Sequence, residues 1–455
     1  MLILVLTAAL TGAHQTKENA GPASPEGTWA SDGYGLVFEI EGDALVSWEV
    51  TKVSCLESTT ATSVPAPPGA LGAFRVNGEP STLVLLPDDD PGRMRIHMNG
   101  AASDIVAHRV EEKPSVCGNP RPSGPRFAFD VFAETWAEHY PFFSMRDADW
   151  GAIVSRNRAR VTDDTAPREL FAVLEAMIAP FEDAHTFLRA DSLDRRFSGS
   201  RKSPSWVERS ERERAYGMVA KHLAGPLRSF CEGQLEFGML EQNVGYLRLR
   251  SFSDYHTDGT FESGLAALDS ALDQIFAEAG SWSGLVIDVR INNGGADPYG
   301  LAIAGRLTSR EYLAYAKEAR NDPAAPTRWT AEQPSLVIPA SRPGFRGPVV
   351  ELIGIQSVSA AETFTQALLH RRPEVIRVGE NTQGVFSDVL VRKLPNGWRF
   401  GLPNERFLTD GRSYDGTGIA PDVTVLSFTP EGLASGRDAG IEAALEQFDD
   451  RNGSR

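Results

Sequence analysis

From Val244 to Val425 the chain alternates short apolar runs with helical stretches, and that order leaves few folds open. Val244-Gly245-Tyr246-Leu247-Arg248-Leu249 reads as a strand, Phe261 to Ala279 as an amphipathic helix, and Leu285-Val286-Ile287-Asp288-Val289 as a mostly apolar, buried strand. Strand–helix alternation with apolar strands predicts an α/β core. Its sharpest stretch runs from Gly347 through Val349-Val350-Glu351-Leu352-Ile353 to Gln356-Ser357-Val358-Ser359-Ala360-Ala361-Glu362. An apolar run ends in small and hydroxyl residues, and a helical segment begins at once. Such a turn presents a serine where the free N–H groups of the new helix point. The competing reading is a strand, an N-capping serine and an amphipathic helix with no chemistry.

At 455 residues the chain exceeds a single core, so several domains are expected. Residues 1–24 form a leader and linker. Met1 to Leu10 is apolar and small residues follow, as in the core and cleavage region of a secretory signal, although a basic start is missing. That leader predicts export to a periplasmic or extracellular location; a disordered leader is the alternative. Residues 25–112 read as a small all-β domain, a barrel or a sandwich, with strands at Leu36–Ile40, Ala44–Val50, Thr82–Leu86 and Arg93–Met98. Residues 113–125, rich in proline, form a linker. Residues 126–240 read as a helical subdomain. Phe129, Phe132, Trp136 and Tyr140 repeat at helical spacing, as do Leu170, Val173, Leu174, Met177 and Ile178, and core packing explains both sets. Residues 241–455 form the α/β core.

The formal net charge is −16 and the sequence pI about 5.1, which argues against a nucleic-acid or anionic-membrane partner. No apolar run approaches the roughly 18 residues of a membrane span. Of the cysteines, Cys55 and Cys117 could pair in an exported chain and leave Cys231 buried, which spacing alone does not decide. No cysteine pair has zinc-site spacing, and no metal or other cofactor is called for.

A serine hydrolase needs a nucleophile, a base, a group that orients the base, and N–H donors for the oxyanion. Ser359 is the candidate nucleophile and Ser357 its competitor. His185, in a loop that ends a helix, is the candidate base, and His256 competes with it. Gly294 and Gly295 follow a buried strand and suit a backbone that offers N–H groups to a ligand, or else a tight turn. Asp415 lies in a glycine-rich turn, where an Asx turn is the alternative.

In chain order these segments resemble the serine peptidases that include the carboxyl-terminal processing proteases and the tricorn core protease. The matching segments are Asp183-Ala184-His185-Thr186, Asp288-Val289-Arg290-Ile291-Asn292-Asn293-Gly294-Gly295, Ser357-Val358-Ser359-Ala360-Ala361-Glu362, Gly379-Glu380-Asn381-Thr382-Gln383-Gly384 and Gly416-Thr417-Gly418-Ile419-Ala420-Pro421-Asp422. The resemblance implies a crotonase/ClpP-like protease core and a peptide or protein substrate. It implies Ser359 as nucleophile, His185 as base and Asp415 as the acid, with the N–H groups of Ala360 and of Gly294 or Gly295 as the oxyanion hole. Val385 stands where the processing proteases carry their lysine base, so the chain resembles the tricorn-like branch unless Lys393 substitutes. Ala184 and Asp415 depart from the serine or glycine and the glutamate usual at those positions. Too little chain separates Leu188 from Val244 for the peptide-binding module of the processing proteases, which leaves substrate selection to another part, the β domain included. Two other readings share these residues: a non-catalytic ligand-binding relative, since the same fold serves a retinoid-binding protein, and an esterase.

Overall fold

The computed structural model describes residues 24–119, 122–325 and 327–453, so the expected leader lies, up to residue 23, outside them. The β domain is a closed barrel of β1 (Gly27–Ser31), β2 (Leu36–Glu41), β3 (Ala44–Val50), β4 (Cys55–Val64), β5 (Gly72–Val76), β6 (Thr82–Pro87), β7 (Arg93–Met98) and β8 (Ile105–Val110). Each strand pairs with the next, and β1 with β8 closes the ring, so no edge is left unpaired. Trp29, Phe38, Leu45, Phe74, Leu85 and Met94 fill the interior. The Cys55–Cys117 disulfide, with Cα atoms 4.9 Å apart, ties β4 to the linker, while Cys231 is half-buried rather than buried.

Helices α1 (Pro125–His139), α2 (Trp150–Arg158) and α3 (Pro167–Ile178) follow, with both apolar stripes in one core. The segment expected to be helical to residue 240 is then largely extended. β9 (Phe187–Ala190) and β10 (Arg195–Ser198) pair as a hairpin, and after a short α4 (Arg212–Gly217), β11 (Arg228–Phe230) and β12 (Leu235–Leu240) join the sheet of the core. β12 alternates buried and half-buried residues over most of its length and pairs along its whole length with β13 (Val244–Leu249), from Leu235↔Leu249 to Leu240↔Val244. That pairing moves the beginning of the core ahead of residue 241.

The core continues through α5 (Phe261–Phe276), β14 (Gly284–Asp288), β15 (Ile291–Asn292), α6 (Asp297–Gly305), β16 (Tyr312–Ala319), β17 (Gln333–Val337), β18 (Val349–Ile353), β19 (Gln356–Ser357), α7 (Ala360–Ala367) and β20 (Val375–Gly379). It ends with β21 (Val389–Lys393), β22 (Arg399–Pro403), β23 (Glu405–Thr409), β24 (Arg412–Ser413), β25 (Val423–Thr424), α8 (Pro430–Ser435) and α9 (Ala439–Gly453). The main sheet has the order β11-β12-β13-β14-β18-β20-β25, parallel from β13 onward. Successive side chains of its strands serve opposite faces. Leu285, Ile287 and Val349 pack with α5, α6 and α7, while Val286, Val350 and Leu352 pack with Ile441, Leu445 and Phe448 of α9. β21 and β22 pair as a hairpin about Leu394–Gly397, and β22 pairs with β9, giving the sheet β10-β9-β22-β21 against α1–α3. β17-β16-β23-β24 form a further sheet.

Candidate active site

Just past the carboxyl ends of β14 and β18, where open α/β sheets place their sites, β15 and β19 pair in parallel, with Ile291 opposite Gln356 and Asn292 opposite Ser357. The register brings the two sequence segments together. Ser357 is fully buried; its hydroxyl donates to the Val289 carbonyl at 2.8 Å and accepts from Gly354 N–H at 3.0 Å, which removes it as a nucleophile. Ser359 is half-buried at the N-cap of α7 with φ 58°, a left-handed conformation that an L-residue adopts only under constraint. The constraint is visible. Its N–H donates to Val385 O at 3.2 Å, and its carbonyl accepts from Glu362 N–H at 2.7 Å.

Gly294 and Gly295 pass beside it at φ 88° and 142°. A Cβ on Gly294 would stand 2.6 Å from Ser359 Cβ and 2.8 Å from Ala360 N, so only glycine allows this approach. Asn292 shapes the turn: its Nδ2 donates to Leu249 O at 2.9 Å and its Oδ1 accepts Gly294 N–H at 2.8 Å. Of the two glycines, then, Gly294 has its N–H occupied, and Gly295 N–H and Ala360 N–H have no hydrogen-bond partner among the described residues. Arg290 anchors the strand end with bonds of 2.6–3.0 Å to Asp288 and Asp438, all three side chains buried. Gly294→Ala is expected to lower kcat/KM by about 100- to 1000-fold, the loss typical of one oxyanion donor, because the added Cβ would displace the Ala360 N–H, with KM changed less than kcat. Steady-state hydrolysis of a small chromogenic substrate checks it.

His185 follows the end of α3 and lies two residues before β9. Its backbone N–H donates to Asp183 Oδ1 at 2.9 Å, and Asp183 also accepts from Tyr140 Oη at 3.3 Å. The ring is buried and its Nδ1 has no hydrogen-bond partner among the described residues. Burial lowers its pKa below the ordinary value, opposed by the Asp183 and Asp388 charges and by a hydrogen bond to the Ser387 backbone. The ring is thus neutral at neutral pH, as a base must be. Ser359 and His185 meet the same segment, Ser359 at Val385 and His185 at Ser387, although no hydrogen bond joins the two side chains as they stand. Resting catalytic hydrogen bonds are often long and tighten only with substrate.

The lowered pKa has a sign. The unfolded chain binds this proton more readily, so the neutral ring favours the fold above pH 6.5, and that contribution is lost as pH falls through the folded-state value. For turnover, the acid limb of kcat/KM is expected below 6.5, read from a pH–rate profile.

Asp415 is buried, accepts from Ser413 Oγ at 2.6 Å and Phe386 N–H at 3.3 Å, and is pushed by burial up to about 7. Its carboxylate neighbour is Asp183, and it does not bond the His185 ring. His256 stands on an exposed turn beside Asp258, 3.2 Å away. Lys393 points to the barrel, where its N–H and Nζ bond Glu49 and Ser58 O.

Sequence reading passed over the groups that hold this site. Glu362 is fully buried and accepts from Gly384 N–H at 2.6 Å and Val385 N–H at 2.8 Å, which locks the Ser359 turn to the segment facing His185. Burial pushes it up to about 8, with the hydrogen bonds from Thr382, Val385 and Gly384 pulling the other way. Thr382 also accepts Ile419 N–H at 2.8 Å, and Gly416 N–H donates to Gly384 O, so the last two glycine-rich segments are one packed unit. Asp388, 58% exposed, pairs with buried Lys317 at 2.5 Å, and the Lys317 charge holds it below the usual carboxylate range. Lys317 also reaches Glu405 at 3.1 Å.

Residues 243–425 match the model of peptidase family S41. A solved candidate peptidase from Parabacteroides merdae ATCC 43184 is 26% identical, with TM-score 0.60, and the alignment covers 72% of this chain and 97% of that one. Mature CPAF in complex with lactacystin is 13% identical, with TM-score 0.51 and coverage of 72% and 97%. The tricorn protease gives 13% identity and TM-score 0.43 over 91% of this chain and 45% of that one. A comparison with curated proteins finds no match.

Proposed function

We propose, from the match of residues 243–425 to peptidase family S41, that this chain hydrolyses peptide bonds through an acyl-enzyme on Ser359, with His185 as the base. One observation carries the reading. Ser359 is held at φ 58° beside the free N–H groups of Ala360 and Gly295, while Ser357 is tied into the fold. His185 takes the hydroxyl proton as Ser359 Oγ attacks the carbonyl carbon, and the oxyanion accepts from Ala360 N–H and Gly295 N–H. The same proton passes to the leaving amine, and water, deprotonated in turn by His185, releases the acid. Gly294 contributes by its lack of a side chain. Asp183 seats the His185 loop, and Asp415 acts one step away, against Asp183. Asp183 and Asp388 supply the charge that favours the imidazolium. The Cys55–Cys117 bond and the apolar leader support an exported, oxidising location.

A fluorophosphonate probe tests this. The native chain is expected to label, and Ser359→Ala and His185→Ala are expected not to. A native chain that stays unlabelled beside a reactive control hydrolase would overturn the reading in favour of a ligand-binding relative. Peptide and ester turnover on one preparation separates peptidase from esterase.

A further inference from the structure

The turn between β1 and β2 of the barrel, Gly33-Tyr34-Gly35, has all three residues left-handed, at φ 68°, 59° and 60°. Glycine is required on both sides. A Cβ on Gly33 would sit 3.0 Å from Arg320 O, and one on Gly35 would sit 2.7 Å from His139 Nε2. A tyrosine persists in that conformation only where its surroundings over-determine it. They do so here: Gly33 N–H donates to Asn321 Oδ1 at 2.7 Å, and Arg392 donates to the Tyr34 carbonyl. The effect is to carry one barrel side chain into the ion network of the core. Tyr34 Oη donates to Glu405 Oε1 at 2.7 Å, the oxygen that Lys317 Nζ approaches at 3.1 Å, while Glu405 Oε2 accepts Asp388 N–H at 2.9 Å. Lys317 is thus shared between Glu405 and Asp388, and Asp388 is one of the two carboxylates whose charge reaches His185.

We propose that Tyr34 is a positioning residue of the active site: by holding Glu405 it sets how Lys317 divides between Glu405 and Asp388, and so how much of the Asp388 charge His185 feels. The barrel then completes the catalytic centre. The groups that face His185 are Asp183 from its own loop and Asp388 from the segment before β21; Lys317 on β16 and Glu405 on β23 act through Asp388. The inference rests on the Ser359/His185 reading.

The sign follows from the bonds. Tyr34→Phe removes one donor from Glu405, draws Lys317 toward it and leaves Asp388 less neutralised, so the His185 pKa rises. Glu405→Gln removes the competing carboxylate, leaves Lys317 to Asp388 and lowers it. The test is the rate of fluorophosphonate labelling of the full chain as a function of pH. The midpoint of the acid limb is expected to move up by roughly half a unit in Tyr34→Phe and down by a similar amount in Glu405→Gln. A purely structural role would lower the melting temperature and leave both midpoints at the native value, and that result overturns the proposal. Movement of both in one direction also overturns it. If Tyr34→Phe does not fold, the Glu405→Gln arm decides alone. Native labelling that is indifferent to His185→Ala overturns the underlying reading as well, whereas a His185-dependent native limb with unmoved variants overturns this inference alone.

Discussion

Ser359→Ala and His185→Ala are each expected to lower kcat by at least about 10⁴-fold, and the double variant by little more than the worse single one. In the proposed mechanism nucleophile and base act as a unit: His185 takes the Ser359 proton, and without Ser359 the base has no proton to take. Some acceleration survives in each variant, because Ala360 N–H and Gly295 N–H are backbone groups that neither substitution removes. Steady-state hydrolysis of a chromogenic peptide, with melting curves of every variant alongside, reads both quantities. Losses that multiply in the double variant would mean that the two residues act independently, and the acyl-enzyme mechanism would fall.

Arg290→Met is expected to destabilise the fold by about 3–5 kcal/mol, because two buried carboxylates, Asp288 and Asp438, lose the cation between them. The pH dependence should invert. In the native chain burial raises the Asp288 pKa, but Arg290 overcomes this and holds it below 3.8, so its contribution is present above that value and lost as pH falls through the folded-state pKa. Without Arg290, burial is expected to outweigh the Tyr246 hydroxyl and Arg248, which still favour the carboxylate, and the pKa rises. The folded variant then binds the extra proton, and its stability grows as pH drops from 7 toward 5. Urea melts at the two pH values check this, and a variant that weakens on acidification like the native chain would refute it. Because this strand end leads directly to Gly294, activity should fall with stability.

How far the sequence could be read depended on whether a group acts locally. The strand–turn–helix around Ser359, the glycines after β14 and the helix stripes ending in Tyr140 and Ile178 are all local patterns, and the structure has them where they were expected. Choosing between Ser357 and Ser359 from the residues alone needed contacts that no spacing encodes, namely Val289 O and Gly354 N–H. The same holds for Gly294 against Gly295, which Asn292 Oδ1 separates. Lys317, Asp388, Glu405 and Tyr34 lie on four separate strands or turns, and each reads in sequence as an ordinary strand or loop residue. β4, Cys55-Leu56-Glu57-Ser58-Thr59-Thr60-Ala61-Thr62-Ser63-Val64, gave no apolar alternation, yet barrel closure makes it a full strand. Residues 228–240 looked like the tail of a helical region because their partner, β13, lay beyond the supposed boundary.

The pairing of β9 with β22, Phe187 opposite Gly401, links segments made early and late in synthesis. His185 is two residues from that strand, so the strand that flanks its loop is complete only once Pro403 has been made. A chain cut before Arg399 keeps the Ser359 segment but loses the β22 partner of β9 beside His185.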